Sequence, residues 1–413
     1  MKVVDVVITP IAFRDPPLLN STGVHEPLVL RCVVQLVLEN GIVGLGECPG
    51  GAAETDRLLT AARAIQGMDV FATTAARRVV HQALGGADVR VEERDSAWAP
   101  LEVAALDAQG KLVGRPVSDL LGGAVRAAVP FSGYLFYKWA EHPALDGSPA
   151  RPDVWGPALD PDGIVAQARR MIDGFGFGSL KLKGGVFPPA DEVAAIHALA
   201  RAFPGLPLRI DPNAAWTVAT SQNVARELAG VLEYLEDPAP GIDGMAQVAR
   251  STSIPLATNM VVSNLAHLRP AVRQDAVQVL LLDHHLWGGL RRSRDLAMLC
   301  EAFGIGLSMH SNSHLGISLA AMVHLAASVP QLAYACDTHY PWNAEDDVVR
   351  PGALRFVDGE VPVPAGPGLG VELDEDVLAR LHQAYLDAGR ERRDDTGYMR
   401  RVVPDYDATL PRW

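Results

Sequence analysis

The chain has 413 residues, 48% of them hydrophobic, and a formal net charge of −13 with histidine counted as neutral. This length is comfortable for two domains, and the composition is that of an ordinary globular protein. The negative charge argues against nucleic acid and anionic membranes as partners. It leaves a small acidic substrate open, since a local cluster of cations decides that.

The compartment is predicted from features that the sequence lacks. Residues 1–5 do not begin a basic and apolar leader, and no apolar run is long enough to span a bilayer. The four cysteines are scattered and form no CxxC pair, so neither a disulfide framework nor a thiolate zinc site is indicated. A cytoplasmic location is therefore expected.

Residues 1–128 are predicted to form one unit, in which strands come before helices. Strand patterns cover 1–13, 28–38 and 42–46. Asn40-Gly41, before the third strand, is typical of a hairpin turn because both residues tolerate positive φ. Helical patterns follow over 55–66, 72–84 and 100–113. A small antiparallel sheet beside a group of helices is expected.

Residues 129–350 carry seven apolar stretches that each end on a polar residue, roughly every 25 residues, which is the length of a strand-loop-helix unit. The stretches are 179–183, 208–211, 234–237, 256–259, 280–283, 307–310 and 334–337. Helical patterns alternate with them over 161–173, 189–203, 221–229, 245–251, 264–273, 290–303 and 318–328. This alternation predicts a parallel α/β sheet closed into a barrel, with functional groups at the strand ends.

The remaining segments are predicted to be a loop and a tail. Residues 140–157, rich in proline and glycine, are expected to form a long loop near the first barrel strand. Residues 351–413 contain a turn-rich connector, a helix over 374–387 and a polar tail rich in arginine.

Asp211, Glu236 and Asn259 end three successive predicted strands. Adjacent strands in a barrel lie about 4.8 Å apart, so three oxygen ligands from neighbouring ends can converge on one cation. Two carboxylates and an amide carbonyl are hard ligands that suit Mg²⁺. Acids at strand ends can also be simply solvated, but three in series, with no basic residue among them, favour a metal site.

Lys181 and Lys183 lie two residues apart on a predicted strand, so both side chains face the same way. A second ammonium and a nearby metal would disfavour the charged form of a lysine and bring its pKa toward neutrality, where it can act as a base. The alternative is a surface pair that binds an anion. The tight glycine-rich run before this strand favours the interior.

Asp283 and His310 end the fifth and sixth stretches. An aspartate at an adjacent strand end would orient the imidazole and favour its cationic form, which makes His310 a second acid or base. Lys183 and His310 are expected on opposite sides of the ring with the metal ligands between them. Such a site can stabilise the enolate of a carboxylate.

These residues resemble the glucarate dehydratase branch of the enolase superfamily, within its mandelate-racemase-like group. Lys181-Leu182-Lys183 and the Asp283 and His310 pair place the subgroup, and asparagine as third metal ligand in Ala257-Thr258-Asn259-Met260 marks the branch. The resemblance covers nearly the whole chain. It implies a modified (β/α)7β barrel with an α+β N-terminal capping domain that the C-terminal segment completes.

The resemblance implies a Mg²⁺-dependent dehydration of an acid sugar such as glucarate or idarate, with homo-oligomeric assembly expected for a barrel enzyme of this size. Lys183 and His310 would be the bases, Asp283 would support His310, and Lys181 would hold the substrate carboxylate and tune Lys183. The implied substrate contacts are His25, Tyr134, Phe136, Asn213, Asn259, Asn312, His339 and Arg393.

Two alternative functions stay open. An epimerase or racemase would use the same two bases without eliminating water. A weakly active paralogue that binds acid sugars is suggested by the segment around 85–95, which is short and lacks the threonine that the resemblance leads us to expect.

Overall fold

The computed structural model describes residues 1–86, 89–145 and 150–413. Its N-terminal part is a three-stranded antiparallel sheet of order β1-β4-β5, covered by helices. The strands of this sheet are β1 (Val3–Arg14), β4 (Leu28–Leu38) and β5 (Val43–Pro49). The short strands β2 (Leu19–Asn20) and β3 (Gly23–Val24) pair with each other. The helices are α1 (Ala52–Ile65), α2 (Thr73–Ala83), α3 (Val91–Val113) and α4 (Val117–Leu120). The predicted hairpin turn joins β4 to β5, with Gly41 at φ +84°.

Helix α3 starts earlier than the sequence predicts. Expected to start at Pro100, it begins at Val91. The backbone N–H of Arg90 donates to Glu93 Oε2 at 2.9 Å as part of a capping box. Buried Asp95 accepts hydrogen bonds from α2. Capping and tertiary contact therefore stabilise the turns that precede the proline.

In the described part of the chain, eight parallel strands form a second sheet, which is nearly closed into a barrel. They are β6 (Ala128–Phe136), β9 (Leu180–Lys183), β10 (Leu208–Asp211), β11 (Leu232–Glu236), β12 (Leu256–Thr258), β13 (Val279–Leu282), β14 (Gly306–Met309) and β15 (Cys336–Thr338). Their order is β14-β13-β12-β11-β10-β9-β6-β15. The gap between β14 and β15 is bridged where Tyr334 N donates to Leu307 O at 3.1 Å. The predicted fold class is confirmed.

Among the residues that the structure describes, seven helices connect consecutive barrel strands and cover the outside of the barrel. They are α5 (Pro161–Phe175), α6 (Pro189–Ala202), α7 (Val218–Glu227), α8 (Gly241–Ala249), α9 (Leu265–Arg273), α10 (Leu290–Ala302) and α11 (Gly316–Ser328). Helix α11 is buried along its whole length. Within the described residues, none of the helices combines the length and apolarity needed to cross a bilayer.

The C-terminal segment returns to the N-terminal part. After α12 (Tyr340–Asn343) and a short 3-10 helix (Ala344–Asp346), which still belong to the barrel part, its elements are β16 (Glu360–Pro362), α13 (Glu375–Ala388) and α14 (Asp395–Val402). His382 Nδ1 donates to Pro10 O at 2.7 Å, and Asn20 Nδ2 donates to Asp395 Oδ2 at 3.2 Å. We propose the division into 1–128, 129–350 and 351–413 on the strength of these contacts.

The predicted loop over 140–157 carries a small hairpin of β7 (Glu141–His142) and β8 (Arg151–Pro152). Residues 146–149 lie outside the described residues, as do 87 and 88 in the short segment before α3. Buried Lys138 Nζ pairs with Asp153 Oδ2 at 2.6 Å, and Trp155 packs on Trp342 with ring centroids 4.4 Å apart. These contacts attach the second half of the loop to the barrel.

Candidate active site

A cavity of about 350 Å³ lies at the carboxyl ends of the barrel strands, under the N-terminal sheet. It is lined by both parts of the chain and by the C-terminal segment. Its lining includes the predicted residues His25, Tyr134, Phe136, Lys183, Asn213, His310, Asn312, His339 and Arg393. The structure therefore brings together residues that the sequence scatters over nearly its whole length.

The two lysines of β9 occupy different depths. Lys181 is fully buried, with Nζ 2.5 Å from Glu236 Oε2 and 2.6 Å from Asp337 Oδ2. Burial alone would lower the pKa of Lys181, but Asp337 and Glu236 raise it well above the usual value. Lys181 is thus a fixed ammonium. Lys183 reaches the cavity, and its Nζ lies 2.6 Å from Asp211 Oδ2.

The three predicted metal ligands meet beside the cavity. Carboxylate oxygens of Asp211, Glu236 and Asp237 lie within 4.8 Å of one another. One terminal atom of the Asn259 amide lies 3.2 Å from Glu236 Oε1, and the other lies 3.2 Å from His310 Nε2. Without a cation, the amide nitrogen suits the position beside Glu236, because it can donate to the carboxylate. With a cation bound, the amide oxygen suits that position, because it can act as a ligand.

Asp237 belongs to the same acidic cluster, although it was not predicted as a site residue. Its carboxylate accepts hydrogen bonds from Thr258 Oγ1 at 2.5 Å and from Asn259 N at 3.0 Å. Its backbone has φ +38°, a strained value for aspartate. Asp237 therefore holds the backbone of Asn259 in place, and Asp211, Glu236 and the Asn259 side chain are the candidate metal ligands.

The charges of the cluster fit a divalent cation. Four acids, Asp211, Glu236, Asp237 and Asp337, surround two ammonium groups, those of Lys181 and Lys183. With all four acids ionised, the balance of two positive and four negative charges is −2. Arg209 approaches Asp337 at 3.7 Å but is neutralised by Glu233 at 2.7 Å. Burial raises the pKa of Glu236 well above its usual range, so an additional cation would stabilise its ionised form.

His310 is held from behind by Asp283, as predicted. His310 Nδ1 lies 3.0 Å from Asp283 Oδ2, and His285 Nδ1 lies 2.9 Å from Asp283 Oδ1. Burial would raise the pKa of Asp283, but His285 and His310 lower it well below its usual range. The carboxylate fixes one nitrogen of His310, so Nε2 is the atom available for proton transfer. His285 was not predicted.

His25 and Arg393 share one buried acid. His25 Nδ1 and Arg393 Nη1 lie 2.9 and 3.2 Å from Asp15 Oδ2, and Arg393 also makes two hydrogen bonds to Asp395. Asp15 is absent from the predicted set because a single acid just after β1 carries no pattern of its own. The cluster fixes two donors, His25 and Arg393, at the wall of the cavity.

Aromatic rings and a strained loop shape the rest of the cavity. The His339 ring contacts those of Tyr134 and Phe136 with centroids 4.8 and 5.1 Å apart. Burial, followed by nearby positive charges, lowers the pKa of His339 well below its usual value, so the ring is neutral. Asn213 has φ +56°, and its N–H donates to Asp211 Oδ1 at 2.9 Å. This aims its side-chain oxygen at Lys183.

Asn312 is positioned by Arg31, a residue of β4 that the sequence analysis missed. Arg31 Nη1 donates to Asn312 Oδ1 at 3.2 Å and to Ser313 O at 2.9 Å, and its Nε lies 2.5 Å from Glu47 Oε1. The Glu47 carboxylate also accepts from Ser318 N at 2.9 Å, at the start of α11. This buried pair joins the N-terminal sheet to the loop that follows β14.

Two family models match the chain along its length. The mandelate racemase / muconate lactonizing enzyme N-terminal domain matches residues 3–122, and the Enolase C-terminal domain-like family matches residues 163–377. This chain belongs to the enolase superfamily. The superfamily resemblance inferred from the strand-end residues is confirmed.

Enolase-superfamily relatives match this chain over its full length. A probable glucarate dehydratase of Streptomyces coelicolor is 50% identical over 100% of this chain and 99% of its own. A solved enolase of Mycobacterium smegmatis, complexed with tartrate, is 60% identical, with TM-score 0.96 over 100% of this chain and 98% of that one. A solved enolase of Thermobispora bispora, complexed with magnesium and formate, is 57% identical, with TM-score 0.97 over 100% of both chains.

Proposed function

We propose that the chain is a Mg²⁺-dependent dehydratase of acid sugars, with a hexarate such as glucarate or idarate as substrate. The observation that carries the proposal is the placement of Lys183 and His310. Lys183 ends β9 and His310 directly follows β14. These strands are three apart one way around the ring and five the other, and both residues line one cavity. Lys183 contacts Asp211 of the acidic cluster, and His310 Nε2 lies 3.2 Å from the side-chain amide of Asn259.

Asp211, Glu236 and Asn259 would hold the cation. When bound, Mg²⁺ would stabilise the negative charge that develops on a substrate carboxylate as its α-proton leaves. Lys181 supports the same charge as a fixed ammonium beneath the cluster.

Proton transfer is assigned to Lys183 and His310. The residue that faces the α-hydrogen removes it, so the configuration of that carbon decides which one acts. His310 then donates a proton from Nε2 to the β-hydroxyl, which leaves as water. The C–H and C–O bonds are lost and a carbon–carbon double bond forms. The resulting enol becomes a 2-keto-3-deoxy acid.

The lining of the cavity supports a polyhydroxylated diacid. Arg393 and His25 offer donors for a carboxylate, while Asn213, Asn312 and neutral His339 can exchange hydrogen bonds with hydroxyl groups. The similarity to a probable glucarate dehydratase over the full chain supports the same substrate class. A cytoplasmic location and a homo-oligomeric state stay predictions.

A panel of acid sugars tests the reaction. Incubation with Mg²⁺ and each hexarate is expected to yield a 2-keto acid from at least one of them, measured by derivatisation of the carbonyl. An epimerase or racemase would instead incorporate deuterium from D₂O with inversion and form no keto acid. A paralogue that only binds would show thermal stabilisation by the diacid without turnover. Absence of both product and exchange with every diacid would overturn the proposed dehydratase.

The metal ligands can be tested without turnover. Mg²⁺ at a hundred times its dissociation constant should stabilise the wild-type fold by about 2.7 kcal/mol, seen as a rise in Tm. Glu236→Gln is expected to lose this rise, because it removes a charged ligand. Glu227→Gln, on the exposed end of α7, should keep it. An equal Mg²⁺ effect in the two variants would place the cation elsewhere.

A further inference from the structure

A second cavity, of about 440 Å³, lies where the cap helices α2, α3 and α4 meet the start of barrel helix α10. It is separate in its lining from the proposed active site. Its polar lining consists of four arginines, two threonines and two acids. They are Arg77, Arg291, Arg292, Arg294, Thr73, Thr74, Glu102 and Asp295. We propose that this cavity binds a small dianion, either inorganic phosphate or a dicarboxylate.

The guanidinium groups retain unused donors. Arg77 is paired with Asp95, Arg291 Nη2 donates to Gln109, and Arg292 Nε donates to Trp287 O. Among the described residues, the buried Nε atoms of Arg291 and Arg294 find no hydrogen-bond partner. These Nε atoms are enclosed, so an anion in the cavity would contact the outer guanidinium nitrogens of the arginines, and an acceptor with several oxygens could bind more than one of them.

The acids around the cavity do not cancel its charge. Asp95, Glu102 and Asp295 stand against four arginines, which leaves one positive charge in a chain of net charge −13. Buried Glu102 is directed at the backbone instead of at a guanidinium, with Oε2 3.4 Å from Arg291 N.

Two helix starts add to the positive potential. Helix α2 begins with Thr73-Thr74 and α10 begins with Leu290-Arg291-Arg292, and both starts are at the cavity. The helix dipole makes such ends favourable for anions and unfavourable for cations. Glu102 already accepts from the N–H of Arg291 at the start of α10, so the first N–H groups of α2 are the ones left for a ligand. The ligand would join a cap helix to a barrel helix.

Calorimetric titration with phosphate and with succinate, on the intact protein, tests this site. The double variant Arg291→Gln/Arg294→Gln is expected to weaken binding of the preferred anion at least tenfold. Arg355→Gln, an exposed arginine outside the cavity, should leave binding unchanged. The anion that binds more tightly to the wild type identifies the ligand as a phosphate or as a dicarboxylate.

Two controls keep the result decisive. The double variant must match the wild type in circular dichroism and in Tm without anion, and the single variant Arg294→Gln replaces it where it does not. Selenate soaked into crystals is expected to give an anomalous peak between Arg291 and Arg294. Equal affinities in variant and wild type, or selenate bound only in the first cavity, would overturn the proposal.

Discussion

His310→Asn is expected to lower the rate of keto acid formation by about 10²–10⁴-fold, the usual contribution of a general acid or base. Asparagine cannot donate the proton that the leaving hydroxyl requires, whichever residue removes the α-proton. With a diacid whose α-hydrogen faces Lys183, this variant should still exchange that hydrogen in D₂O, because Lys183 remains in the cavity. Product assay and proton NMR on the same sample measure both steps.

Lys183→Met is the complementary change. It should remove both exchange and product for diacids whose α-hydrogen faces Lys183, and leave substrates of the opposite configuration reacting through His310. His197→Asn, in the middle of α6 on the outside of the barrel, serves as the matched control and should behave as wild type. Full dehydration by His310→Asn would contradict the assignment of the acid.

Arg31→Met is expected to cost about 3–5 kcal/mol of folding free energy, because it leaves Glu47 buried without its counter-ion. The loss should appear as a large fall in Tm and as weaker substrate binding, since Asn312 loses its donor. Denaturation with and without a bound diacid measures both effects.

The double variant Arg31→Met/Glu47→Gln should recover part of that stability, since it removes both charges and keeps an acceptor near Ser318 N. Arg350→Met supplies the contrast. Its pair with Glu372 is exposed, and its loss should cost less than about 1 kcal/mol. A double variant no more stable than Arg31→Met would show that packing, not charge, dominates at this position.

The barrel and its reactive groups could be predicted because the geometry of a parallel strand determines where its side chains and its carboxyl end lie. Alternation directs Lys181 and Lys183 to one face, and parallel strands bring Asp211, Glu236 and Asn259 to one edge. These relations depend on local spacing alone, so they can be inferred from one sequence.

The supporting residues could not be predicted, because they act across the fold. Arg31 meets Asn312 only after the cap docks on the barrel, and Asp15 meets Arg393 only after the tail returns. Asp237 follows a predicted ligand in the chain, but its carboxylate accepts hydrogen bonds from Thr258 and Asn259 at the end of the neighbouring strand β12. The early start of α3 at Val91 has the same origin, since tertiary contacts outweighed the usual position of a proline.

The return of the tail to the cap has a consequence during synthesis. Asn20 and Asp395, which join β2 to α14 beside the cavity, lie 375 positions apart in the chain. A ribosome that has translated the cap and every barrel strand still holds a protein whose cavity wall lacks Arg393. The nascent chain therefore acquires the complete wall of this cavity only after Arg393 and α14 have emerged, however early the barrel condenses.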